Sequence, residues 1–193
     1  MCLESHHWQG MRPELDRILS FRCYFTLLSK TLSQEIMTPD GISTDDWDRV
    51  HEVVVEVVNA SAIEDNVLCD HYKERLFGIL DELESIYGRI PGVLATRADF
   101  TDEPTVAIAL HEEALAVAID PISSRLSLQS LIRLKIDGRH DETSTATLLL
   151  ELERLTDTDR SSSDLDELRE LQTDFERTKR RKNVSILTPD PRV

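Results

Sequence analysis

Cysteine and glycine are scarce, aromatics are few, and no long apolar run exists. Each shortage removes a class of protein. The three cysteines, Cys2, Cys23 and Cys69, are an odd number at wide spacing with no Cys-x-x-Cys pair. They supply no disulfide framework and no zinc-ribbon ligand set, which fits a reducing compartment. Six glycines leave no phosphate-cradling loop: Gly-x-x-x-x-Gly-Lys-Ser/Thr, Gly-x-Gly-x-x-Gly and Gly-x-Ser-x-Gly are all missing. No stretch approaches the roughly 18 apolar residues that a membrane span needs. Met1 to Gln9 has no basic n-region, and the apolar letters from Ile18 to Leu28 are broken by Ser20 and Arg22, so no secretory signal is read. A soluble, cytoplasmic protein is the expectation.

What is present is enough for a core. Of 193 residues 40% are apolar, and with only 5% aromatic that share is mostly Leu, Val, Ile and Ala. The chain suits one domain with loose ends rather than wholesale disorder. The net charge of −15 is unevenly spread. Residues 1–36 hold four acids and four bases, residues 37–120 nineteen acids and five bases, and residues 121–193 fourteen acids and thirteen bases. An acidic middle repels nucleic acid and anionic lipid, and steers basic partners at low salt. It also simply keeps a protein soluble.

Apolar spacing reads as helix throughout. Residues 1–36 are expected to be a leader and a helix running from Pro13, possible outsiders to the core; Met11 or Met37 could be the true start. Residues 37–178 are expected to form a domain of helical hairpins, and 179–193 a basic, proline-containing tail. After the turn Thr38-Pro-Asp-Gly41, Thr44 offers a cap for a helix from Asp45 to Ala60, with Trp47, Val50, Val54, Val57 and Val58 inward. The clearest stripe is Leu68, Tyr72, Leu76, Ile79, Leu83 and Ile86, in a helix from Asp65 to Tyr87. Gly88 to Gly92 breaks it, and Pro91 to Asp99 restarts a short helix with Val93, Leu94 and Ala98. Thr101 is expected to cap the next helix, with Val106, Ala107, Leu110, Ala114, Val117 and Ala118 on its inner face and Asp120-Pro121 closing it. Ser124 to Asp137 follows, then an Asp141-capped helix with Leu148, Leu149, Leu152 and Leu155 inward. A polar linker, Asp157 to Ser163, leads to a last helix, Asp164 to Arg177, through Leu165, Leu168, Leu171 and Phe175.

The best internal echo lies here: Asp102-Glu103, Ala107 and Leu110 recur thirty-nine positions later as Asp141-Glu142, Ala146 and Leu149. Gly138-Arg-His-Asp-Glu-Thr143 resembles the interhelix turn of tetratricopeptide-type repeats, and Asp99-Phe-Thr-Asp-Glu-Pro104 holds the equivalent place one repeat earlier. Ala107, Ala114-Leu115 and Pro121 resemble that family's second helix. The resemblance covers roughly residues 91–157. It implies a non-catalytic scaffold of stacked helix pairs whose concave face, lined by first helices, grips a peptide or a partner helix. The fold class expected is all-α: antiparallel helical hairpins stacked as a short repeat-like solenoid, or a closed helical bundle.

Tests for chemistry give little. His51-Glu52 and His111-Glu112 open like a helical zinc-protease motif, but Val55 and Leu115 stand where the second histidine is required; surface histidines are the expectation. A di-metal carboxylate bundle needs a Glu-x-x-His from each of two helices; the pattern occurs once, from Glu4 to His7, which disfavours it. Cys69-Asp70-His71 has the residue types for nucleophilic catalysis, but adjacent helical residues point about 100° apart; Cys69 reads as core. No catalytic, cofactor-binding or metal-binding residue is assigned, and no cofactor is expected. Arg177, Lys179, Arg180, Arg181 and Lys182 form the one concentrated basic patch and the one candidate interaction site. Its plain explanation is a helix C-terminus stabilised by cations against its dipole. The function expected is a protein–protein interaction module with an acidic surface, its partner basic and not nucleic acid or membrane. The alternative is a helical-bundle enzyme or small-ligand-binding protein.

Overall fold

The computed structural model describes residues 37–138, 141–159 and 162–187; the side chains at 158, 159 and 182–187 are not among those described. The leader expected in 1–36, with Cys2 and Cys23, lies outside the described residues. The described residues form seven helices: α1 Thr44–Ala62, α2 Asn66–Tyr87, α3 Pro91–Asp99, α4 Pro104–Val117, α5 Pro121–Asp137, α6 Glu142–Asp159 and α7 Ser162–Leu187. The described residues contain no strand, only an isolated bridge between Met37 and Ser43. None of their helices is long and apolar enough to cross a membrane. The described residues divide into two compact units, one built on Ser43–Ile79 and the other on Pro39–Ile42 with the chain from Leu80 onward.

In the first unit, α1 is capped by Ser43, one residue before the expected Thr44. The Ser43 hydroxyl accepts from the Asp46 amide and donates to the Asp46 carboxylate at 2.9 Å. Asp45 and Asp46 fill the first turn, where the helix dipole favours negative charge. The β-branched run does not make a strand; Val50, Val53, Val57 and Ala60 are buried at steps of three and four, so Val53 rather than Val54 faces in. At its C-terminus the Asp65 amide donates to Ala60 O and the Glu64 amide to Ser61 O. That pair of bonds is a Schellman closure, with Glu64 in the left-handed region at φ 58. Asp65 then caps α2 by accepting the Leu68 amide at 3.0 Å. Cys69, Leu76 and Ile79 are buried.

In the second unit, Leu80 and Leu83 continue the stripe of α2, but Ile86 is 64% exposed; the apolar line ends a turn earlier than its spacing predicts. The helix from Pro91 to Asp99 forms as expected, with Val93, Leu94 and Ala98 buried. Thr101 does not cap α4. Its hydroxyl donates back to Arg97 O at 2.7 Å, closing α3, and Glu103 caps α4 instead. The inner face of α4 keeps Ala107 and Ala114 as expected but is centred about 45° away from the expected face. Ala107, His111 and Ala114 are buried, while Val106 and Val117 are exposed. Asp120-Pro121 opens α5, three residues ahead of Ser124: Asp120 accepts the Ile122 and Ser123 amides at 3.0 and 2.9 Å. Pro121 takes the position where a missing N–H costs nothing. Asp141 caps α6 as expected, accepting the Ser144 amide at 2.9 Å. The expected linker shrinks to the gap between Asp159 and Ser162, and α7 runs on to Leu187, so most of the expected tail is helical.

Consecutive helices from α3 to α7 touch, and α5 also touches α3 and α7. Short loops turn the chain back between neighbours. Side-chain pairs give the direction of the alternate helices. Asp40 binds both Gly92 at the start of α3 and Ser123 at the start of α5, while Asp99 at the end of α3 accepts from Ser130 further along α5. Arg125 pairs with Asp164, and Arg133, two turns on, with Glu167 and Glu170. Hence α3, α5 and α7 run parallel in a row, with α4 and α6 as the returning helices. One cluster joins Leu128, Ile132 and Ile136 of α5 to Leu149 and Leu152 of α6 and Leu168 and Leu171 of α7, with Leu115, Leu148, Leu155 and Phe175 packed against it. The buried face of α4, Ala107, His111 and Ala114, repeats on α6 as Thr145, Leu149 and Leu152, thirty-eight positions on each time. The letters echo at thirty-nine; the packed faces are one residue out of step with them.

Candidate functional site

Four of the five carboxylates of α1 gather on one side, while Asp46 pairs with Ser43 and Arg49. Asp45, Asp48, Glu52 and Glu56 span about 80° of the helix circumference at 100° per residue. Asp45, Glu52 and Glu56 are exposed and Asp48 is half-buried. At Asp48 partial burial is the main cause that pushes the carboxyl above the ordinary range; the Asp45 carboxylate and, less, Glu52 add to the rise, and His51 opposes it. Like charges one turn apart destabilise a helix by about 0.2–0.5 kcal/mol per pair. Beside this face lies an open groove of about 330 Å³ lined by His51, Glu52, Val55, Glu56 and Arg75. Val55, which stands where a zinc motif would need its second histidine, is 38% exposed there. The groove thus offers carboxylates flanking an apolar contact, with the single cation Arg75 contributed by α2. Among the described residues no group of three or more His, Cys, Asp or Glu side chains could hold a metal ion.

The basic cluster expected at Arg177, Lys179, Arg180, Arg181 and Lys182 sits on α7, beyond Phe175, the last described residue of that helix packed on the core. Leu168 and Leu171 are buried and Phe175 is partly so; from Glu176 to Arg181 every residue except the half-buried Thr178 is exposed. Arg177 pairs with Asp174 at 2.6 Å. Lys179, Arg180 and Arg181 form no ion pair among the described residues, and the Lys182 side chain lies outside them. Because α7 continues to Leu187, its last turn contains no basic residue. The helix-dipole explanation therefore weakens, since that effect fades beyond the final turn.

His111 corrects the expectation of a surface histidine. It is 1% exposed on α4, and its Nε2 lies 3.2 Å from Asp99 Oδ1. Neither ring nitrogen has a hydrogen bond of good geometry. The same Asp99 oxygen accepts the Ser130 hydroxyl at 3.2 Å. Serine and histidine both address the carboxylate and not each other, so this is no nucleophilic relay, in which the histidine must take the serine's proton. Cys69 is buried as expected, while Asp70 and His71 are exposed and the His71 ring lies against Tyr72.

Three groups escaped the sequence reading. Asp40 bonds the Gly92 amide and the Ser123 hydroxyl, each at 2.8 Å. Burial is the main cause that raises its carboxyl above the ordinary value of 3.8, against the lowering by those two donors; the nearby Asp120 adds to the rise. Arg125 and Arg133 tie α5 to α7. The Arg125 guanidinium is 6% exposed and 3.2 Å from Asp164. One signal for Arg125 was available: with Leu128 and Ile132 it continues the inward spacing of α5, so its side chain points into the packing. Compared with known proteins, the chain matches no family model, no curated protein and no solved structure.

Proposed function

We propose that the chain is a non-catalytic, cytoplasmic interaction module, built as a short stack of helical hairpins of tetratricopeptide-like kind, whose acidic α1 face receives a cationic segment of a protein partner. The observation that carries this reading is the α1 face itself. Asp45, Asp48, Glu52 and Glu56 share one side of a helix at a cost in mutual repulsion, beside a groove with exposed Val55. A partner helix bearing lysine or arginine around one apolar residue would satisfy both features. The row of parallel helices α3, α5 and α7 supports a scaffold. Nucleic acid and membrane are not its partners, because a body of net charge −15 repels both.

A lysine-rich amphipathic helical peptide is the probe. Trp47, on α1, offers a fluorescence readout. Binding is expected to weaken about tenfold or more between about 50 and 300 mM salt, as the Debye length shrinks. It should also weaken in a Glu52→Gln/Glu56→Gln variant. Equal binding of a neutral peptide of the same apolar pattern, or indifference to the variant, overturns the reading.

A further inference from the structure

Along the C-terminal length of α7, the described side chains from Glu176 to Arg181 are exposed apart from the half-buried Thr178. Phe175 is its last described residue packed on the core cluster, and the helix runs to Leu187, roughly 18 Å further at 1.5 Å per residue. Exposed Lys179, Arg180 and Arg181 have no anion among the described residues, and no last-turn role explains them. At 100° per residue the cations from Arg177 to Arg181 surround the helix rather than form a stripe, with only Thr178 between them. That distribution has no apolar side for a lipid surface to take up. The complementary feature is in the same sequence: the α1 face has clustered carboxylates, with Arg75 across the groove and Arg49, paired with Asp46, at its edge.

We propose that the basic length of α7 docks onto the acidic α1 face of a second copy of this chain. The proposal rests on the reading of α1 as a receptor for cationic segments and names its occupant. Two different surfaces meet, so the contact is head-to-tail and does not saturate at a symmetric dimer unless it closes a ring. Net charge opposes it at long range. The Debye length is about 30 Å at 0.01 M salt and about 10 Å at 0.1 M, so moderate salt screens the overall repulsion while adjacent pairs still attract. Association is therefore greatest near 0.1 M on the order-of-magnitude scale of that screening, and falls at both about 0.01 M and about 1 M.

Light-scattering mass of the full chain, measured across concentration and salt, tests this. The wild type is expected to exceed the mass of one chain near about 0.1 M salt. A variant with Lys179→Glu, Arg180→Glu and Arg181→Glu, and another with Glu52→Lys and Glu56→Lys, should each remain monomeric. An equimolar mixture of the two should associate, because each then presents what the other lacks. Circular dichroism checks that both fold, and Gln versions of the same sites supply milder variants. A wild type monomeric at every salt overturns the proposal, as does a mixture that stays monomeric. Association that nuclease treatment abolishes assigns the arm to polynucleotide and also overturns it. If the wild type is monomeric yet still binds the lysine-rich peptide at α1, only this inference falls.

Discussion

Asp40 reaches Gly92 across fifty-two residues: its Oδ2 accepts the Gly92 amide at 2.8 Å, at the open N-terminus of α3. Its other oxygen accepts the Ser123 hydroxyl of α5. A single carboxyl from a turn therefore fixes the starting ends of two parallel helices. Gly41, at φ 82, permits the turn that presents it, and Ile42 beside it is buried.

Removing that carboxyl should separate its bonding role from its charge. Asp40→Ala leaves the Gly92 amide without its partner and should cost about 1 kcal/mol or more, as loss of a cap does. Asp40→Asn can still accept from Gly92 and donate its amide to the Ser123 oxygen, and should stay within about 1 kcal/mol of wild type at neutral pH. Urea unfolding midpoints give both values. Equal midpoints for the alanine variant and wild type would show that the bond contributes nothing.

Asp40 should also leave a mark on the pH dependence of stability. Burial raises its native pKa above the ordinary 3.8, so the native state holds that proton more tightly than the unfolded chain. The resulting stability is complete below the unfolded pKa and is lost as pH rises through the native one. Between neutral pH and about pH 4, Asp40→Asn should therefore gain less stability on acidification than wild type does. Parallel stability curves for the two proteins over that range would contradict the assignment.

Local signals reached as far as local causes do. The Pro91–Asp99 helix, the Asp141 cap and the leucines of α6 were readable because each depends on neighbours within a turn or two. His111 reads as exposed because it is polar, and its burial turns the inner face of α4 by about 45° from the expected one, with Ala107 and Ala114 common to both. Ile86 kept the helical spacing of its stripe but faces water, since periodicity cannot tell where a partner helix stops. Asp40 and Arg125 were out of reach for a different reason. Their partners are fifty-two and thirty-nine residues away, and nothing in the intervening letters couples them. Of the candidate site, the basic cluster was visible as composition; its position short of the helix end was not. The α1 acids were visible as charge, but their single-sided arrangement beside Val55 needed the helix in place.

The His111 site predicts an inversion of the usual cost of a core substitution. Both ring nitrogens are buried without a well-formed hydrogen bond, so the ring is held chiefly by packing. His111→Leu keeps most of the volume and removes the unsatisfied groups, and should be neutral or stabilising, within about 1.5 kcal/mol. His111→Ala opens a cavity and should cost about 2–4 kcal/mol. A leucine variant as damaged as the alanine one would mean that the imidazole nitrogens carry the site.

Glu64 is the one described non-glycine residue with positive φ, at 58, and it closes α1 through its amide bond to Ser61 O. A side chain there meets the steric penalty of the left-handed region, about 1–2 kcal/mol. Glycine avoids the penalty but adds unfolded-state entropy, which takes back part of the gain. Glu64→Gly should raise stability by about 0.5–1 kcal/mol, with the α1–α2 turn unchanged. A loss of stability would show that the Glu64 side chain contributes a contact worth more than the strain.

Arg125 and Asp164 set the strongest expected asymmetry. The guanidinium is 6% exposed and the carboxylate 19%, so the pair lies within the packing between α5 and α7. Charges taken out of water are costly, and their attraction repays the cost only while both are present. Asp164→Ala leaves a buried cation short of its anion and should cost about 3 kcal/mol or more. Arg125→Met with Asp164→Leu replaces the pair by apolar volume and should cost much less than Asp164→Ala alone. Both variants keep the leucines at 128, 168 and 171, so the shared core is unaltered and the difference reports the pair. Urea unfolding of the three proteins decides it. If the apolar double variant is the least stable of them, the pair is a net source of stability to the α5–α7 contact. If Asp164→Ala is the least stable, the pair chiefly fixes how the two helices align, at little net gain in free energy.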